Sequence, residues 1–211
     1  MNMRSLCTVS IGCLACIAAT GSANAQPAGT MREINLTTDS AQGWLPSVEL
    51  DKSALETVAK FFQLNDAGDY RASYAMLDPG TRALIKYEDF AKTNTLFRLE
   101  AGKLVHRRII KVTWTKDPTQ APKPGIYAAI DAAATFQNTD RQCGYIVLYQ
   151  APQGGPFVVT RTENNSISNA SAKEIERRQS KAALDSLWTG LSANCPNFQA
   201  PASPAALVPR T

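Results

Sequence analysis

The sequence predicts an α+β fold: N-terminal helices packed on a four-stranded antiparallel meander, with a closing C-terminal helix. Three observations carry this. The apolar period is helical up to Gly102 and becomes an alternation from Leu104 onward. Residues 139–141 and 151–156 are too short for a parallel crossover, so the strands that they join are antiparallel. A second helical pattern follows the strands, opened by the capping-box spacing Ser171-x-x-Glu174.

Taken in order, residues 1–25 read as a secretory signal. Arg4 supplies the positive start, 6–19 the apolar run, and Ala23-Asn24-Ala25 the small-x-small cleavage pattern before Gln26. Lipid attachment at Cys16 is the competing reading, but Cys13 stands where a lipid box has an aliphatic residue. Cleavage after Ala25 leaves about 186 residues of net charge about +3, and a periplasmic or secreted location is expected. No second apolar stretch is long enough to span a bilayer. That charge is too small for a nucleic-acid footprint.

Residues 26–50 form a leader without sustained period, anchored by Trp44 and Leu45. The single α+β domain is expected over 51–196. Its first helix starts near Ser53, in the spacing Ser53-x-x-Glu56, with Leu55, Val58, Ala59 and Phe62 on one face. A short helix over 69–76 turns Tyr70, Tyr74 and Leu77 to one side, and Asp78-Pro79-Gly80 reads as a turn. A third helix over 87–99 carries Phe90 and Phe97 and ends near Gly102. The strands are expected at 104–116, 126–138, 142–150 and 157–164. The run 141–150 is the most strand-like in the chain and is expected at the centre of the sheet. The closing helix runs to about residue 191 with Ile175, Leu184, Leu187, Trp188 and Leu191 inward. The Pro/Ala-rich tail, 197–211, has little to bury and is expected to be disordered. Such a layout suits a cone-like or cystatin-like domain.

Of five cysteines, three lie in the signal, leaving Cys143 and Cys195. In an oxidising compartment two cysteines read as one disulfide, worth roughly 4 kcal/mol for a loop of this length. It would pin the closing helix to the sheet. Neither cysteine has a ligand partner at zinc-finger spacing.

The run Asn65-Asp66-Ala67-Gly68-Asp69-Tyr70 after an amphipathic helix, then Ala72-Ser73-Tyr74, Arg107-Arg108, Pro124-Gly125-Ile126-Tyr127, Cys143-Gly144-Tyr145 and Phe157-Val158-Val159 with Arg161 and Glu163, resembles the bacterial envelope family called domain of unknown function 4019. The resemblance covers 55–167. It implies a small exported α+β domain, similar in outline to nuclear-transport-factor and cystatin-like cones. It implies no activity and carries over no catalytic residues.

His106 is the only histidine, so nucleophilic schemes that need an imidazole depend on it. A hairpin about residues 117–125 sets His106 opposite Phe136 and leaves Asp131 about five residues along, roughly 16 Å away at the usual strand rise. An acid/base dyad of the two is therefore not expected. Asp131 interrupts an apolar strand, and Arg161 and Glu163 alternate onto one side of the last strand, where they could pair. With Tyr127, Tyr145 and Tyr149, these residues are the candidates for lining a hollow between sheet and helices. Arg107-Arg108 with Lys103 and Lys111, and Arg177-Arg178-Lys181, read as solvated basic faces. Gly154-Gly155 joins two strands and precedes no helix, the wrong setting for a phosphate loop. No cofactor is expected. The expected role is a non-enzymatic binding or accessory domain for a small ligand or an envelope protein. The alternative is a small-molecule hydrolase or isomerase using a pocket around Asp131 and Arg161.

The signal reading makes one prediction: N-terminal sequencing of the exported protein begins at Gln26, and a lipid-modified Cys16 at that terminus refutes it.

Overall fold

The structure, a computed structural model, describes residues 31–193, Cys195 and residues 206–209. The expected signal, its cut after Ala25, Cys16 and residues 197–205 of the tail lie outside them. The element order is β1 (Met31–Leu36), α1 (Val48–Ala67), α2 (Tyr70–Ala75), α3 (Pro79–Leu84), α4 (Tyr87–Ala101), β2 (Leu104–Lys116), β3 (Ile126–Phe136), β4 (Thr139–Gln150), β5 (Val158–Ser168), α5 (Asn169–Arg178), α6 (Lys181–Ser192) and β6 (Ala206–Pro209).

The α+β class and the antiparallel meander β2–β5 are observed, but the sheet is larger and mixed, with six strands in the order β5-β4-β3-β2-β1-β6. The leader supplies β1, parallel to β2 through Asn35↔Thr113 and Leu36↔Trp114. Past it, Ser40 Oγ accepts from Lys116 N (3.0 Å) and Ala41 N donates to the Lys116 carbonyl (2.9 Å). These bonds satisfy the outer edge of β2 with only two registered pairs, too few to leave an alternating signature. β6 lies antiparallel to β1, inside the tail expected to be disordered. The run 141–150 is not central: β4 is second from the β5 edge.

The helix boundaries also moved. Ser47, not Ser53, caps α1, its hydroxyl accepting from Leu50 N at 3.1 Å. The buried stripe is therefore Ala54, Val58 and Phe61, and Ala59 is exposed. Asp78-Pro79-Gly80 is the start of α3 rather than a bare turn, with the Asp78 carboxylate accepting from Gly80 N and proline at the first helical position. The closing helix is two helices. Ser168 caps α5, and Ser180 caps α6 after a break at Gln179. Ile167, Ala172 and Leu184 form a small core there with Ile175, Trp188 and Leu191, while Leu187 is exposed.

The main core lies between α1–α4 and one sheet face. Trp114, Ala128, Ile130, Ile146, Leu148 and Val159 meet Ala54, Val58, Phe61, Leu77 and Phe90. Trp114 packs edge-on to Trp44 (6.4 Å) and against Phe157 (6.2 Å), so leader and strand are locked by aromatic contact. On the far side of the chain, a disulfide joins Cys143 of β4 to Cys195 just after α6, with Cα atoms 6.2 Å apart. Arg141 adds an ion pair to Asp185 of α6 at 2.7 Å.

The disulfide closes a separation of 52 residues. Replacing both Cys143 and Cys195 with Ala should lower unfolding free energy by about 2–4 kcal/mol in urea titration; an unchanged midpoint, or two free thiols by mass spectrometry of the protein under non-reducing conditions, counts against the clasp.

Candidate ligand-binding site

Along β3 the side chains facing the helices change size. Ile130 fills the core, whereas Ala132 and Ala134, with Gly144 beside Ala132 on β4, stop short of the helical layer. Gly144 has no room for a side chain, since a Cβ there would collide with the Glu163 carbonyl of β5. The result is a hollow of about 600 Å³, within the range of small-molecule sites. Its inner wall is aromatic: Phe61 and Phe62 from α1, Phe90 and Phe97 from α4, and Phe136 from β3. Phe97 and Phe136 meet edge to face at 5.3 Å.

Polar groups line the hollow from the sheet and from the helices. β3–β4 register pairing runs to Ala132↔Gly144, and beyond it the Gln142 side chain accepts from Ala134 N (2.7 Å). Gln142 in turn donates to Asn164 Oδ1 at 2.6 Å. Asn65 and Asn94 each donate to a carbonyl one turn back, those of Phe61 and Phe90. At the mouth, Arg107 makes a two-bond pair to Asp66 (2.5 and 3.0 Å) and lies over Phe62 at 4.2 Å. Arg98 from α4 and Lys103 before β2 complete that rim.

The expected pocket residues are divided. Tyr145 and Glu163 border the hollow; Tyr127, Asp131 and Arg161 do not. Asp131, Tyr145 and Glu163 do form one row, directly opposite each other on β3, β4 and β5. Strand alternation, however, turns that row away from the face on which Ile130 and Ile146 meet the helices. Asp131 is wholly buried on that other face, opposite Lys111 of β2. Arg161 pairs with Glu163 at 2.9 Å, as its alternation suggested, and stands 5.4 Å from the Tyr145 ring centre. Burial pushes the Tyr145 hydroxyl up, and Glu163 and Asp131 push the same way against Arg161. The Glu163 bond holds Arg161 above its ordinary range.

Tyr127 lies at the opposite end of the sheet. Its hydroxyl donates to the Lys123 carbonyl (2.8 Å), its ring is 5.1 Å from Tyr149, and Tyr149 donates to the Pro124 carbonyl (2.9 Å). Burial, then Tyr149, raise the Tyr127 hydroxyl. Lys123 covers the Tyr149 ring at 4.0 Å and donates to Asp78 at 2.6 Å. This cluster fastens the loop after β2 to α3.

His106 lies opposite Thr135 rather than Phe136, because a bulge between Leu104 and His106 shifts the register by one. It borders a shallow depression with Arg108, Asp140, Arg141 and Trp188, away from Asp131. Among the basic faces, Arg177 and Arg178 pair with Glu174, and Lys181 with Asp185. Among the described residues no group of three or more His, Cys, Asp or Glu could hold a metal ion, and no helix is long and apolar enough to cross a membrane. Apart from Tyr145 and Glu163, the sequence offers the lining of the hollow as helix-face apolars such as Phe62, Phe90 and Phe97 and as the basic patch with Lys103 and Arg107. The signal that marked them was the small-residue run at 132–134 following Ile130.

With the fold and hollow defined, the class follows. Residues 57–160 match the model of a family described as Protein of unknown function (DUF4019), so the chain carries a domain of that family. The match runs from within α1 into β5; Arg161 and Glu163 lie just beyond it. No curated protein and no solved structure matches the chain.

The Asp78–Lys123 pair generates a pH prediction. Burial raises the Asp78 carboxyl, but the Lys123 bond and the Gly80 amide outweigh it and leave the group below its ordinary 3.8. A lowered folded value stabilises above the unfolded pKa, and that contribution is lost as pH falls through the folded value. Asp78→Asn keeps the cap and removes the ion pair. It should flatten the loss of stability on acidification between about pH 5 and pH 2 in denaturant titrations; an acid limb as steep as that of the unaltered protein argues against this role.

Proposed function

We propose that this is an exported binding domain that holds a small ligand in the hollow between α1, α4 and the sheet, without chemically altering it. The observation that carries this reading is the hollow itself: about 600 Å³, walled by five phenylalanines and edged by amides and cations. Export rests on the signal-like start and on the Cys143–Cys195 disulfide, a bond that persists in oxidising compartments. The hydrolase or isomerase reading needed Asp131 and Arg161 within a shared pocket. Neither lines the hollow, and the carboxylates that do border it, Asp66 and Glu163, are bonded to arginines.

A thermal-shift screen of small amphipathic compounds should find ligands that raise the melting temperature. Ala134→Phe, which places a ring in the empty volume, should abolish those shifts while the unliganded protein remains folded. Shifts that persist in this variant place binding elsewhere and sink the reading.

A further inference from the structure

From the two unlike ends of the hollow, we infer that its ligand is a single-chain amphiphile with an anionic head, of the long-chain carboxylate type, held tail-inward. This rests on the proposed binding role of the hollow and specifies its occupant. The inner end is apolar: Phe61 is 5 % exposed and Phe90 8 %, and Ala132 and Ile146 are buried beside them. Those side chains offer an alkyl chain dispersion contact and burial but give no polar group there a partner.

The mouth has the opposite character, and its charges do not cancel. Arg98, Lys103 and Arg107 stand there against Asp66, while Glu163 borders the hollow from the strand row that turns to the other sheet face. Asp66 is committed to Arg107, and Glu163 to Arg161. Arg98 and Lys103 have no carboxylate partner among the described residues, so the rim keeps two uncompensated cations. Arg98 reaches toward the end of α1. Its guanidinium lies over Gly68, the left-handed cap of α1 (φ 78°), so closely that a Cβ there would strike it. A planar guanidinium fork beside an ammonium is a fitting receiver for a carboxylate.

The mouth is apolar as well as cationic. Leu99, 73 % exposed, and Leu104, 37 % exposed, line it, and Leu96 and Val105 extend the exposed apolar surface beside them. Large exposed apolar side chains next to a basic rim suit a ligand that enters tail first and leaves its charge outside. A cationic or uncharged amphiphile meets the same walls without the head contact.

The test uses dodecanoate, dodecanol and dodecylammonium, three heads on one tail, titrated calorimetrically against the full disulfide-bonded protein. Dodecanoate should bind at least about tenfold more tightly than the other two, the worth of a charge-assisted contact. Arg98→Ala with Lys103→Ala should erase that preference without moving the melting temperature of the free protein, since both side chains are exposed. Ala134→Phe should remove binding of all three. Equal affinity for the three heads, or a preference that survives loss of both cations, overturns the anionic assignment and leaves the hollow as a binding site. No binding by any of them, or binding that Ala134→Phe does not remove, overturns the assignment and the binding reading together.

Discussion

The arrangement turns on a change of side-chain volume along one strand. On the helix-facing side of β3, Ile130 is completely buried against α1 and its neighbours, and two residues later the chain offers only Ala132, then Ala134. The backbone spacing between sheet and helices cannot follow so abrupt a drop, because Trp114, Leu148 and Val159 prop the layers apart from the packed end. Gly144 extends the shortfall onto β4, where the closeness of β5 excludes even a methyl group. What in most interiors would be a destabilising void is here opened to solvent at one end and edged with bonded amides and cations.

That division explains why the two sheet faces have different duties. One face carries the main core and the hollow. The other carries the Asp131–Tyr145–Glu163 row, Cys143 and its bond to Cys195, and the contacts of Arg141 with α6. Since each strand alternates, these are interleaved residue by residue in the sequence. A list of interesting polar residues on adjacent strands therefore mixes both faces.

Much of the scaffold was legible. β2 was bounded correctly at both ends because its alternation is long and a glycine marks its start, and the shortness of the later connections dictated the antiparallel pairs. The Cys143–Cys195 bond followed from counting cysteines outside the signal. The candidate pocket was less legible, for the reason just given: Tyr127, Asp131 and Arg161 are conspicuous side chains, whereas the hollow is made by inconspicuous ones. β1 was missed because its partner is supplied from almost eighty positions away, and the pairing is brief. Ser53 offers a capping spacing too, but it lies inside a helix that already runs from Val48, where its own amide is within the helical ladder.

The parallel pairing of β1 with β2 has a mechanical side. Both helices that roof the hollow, α1 and α4, lie between those two strands in sequence, and the strands are hydrogen-bonded neighbours in the sheet. The roof is thus a closed arch with both feet on adjacent planks. Its span leaves the doorway to the interior at the last turns of α1 and α4, where Asp66, Arg98 and Leu99 stand.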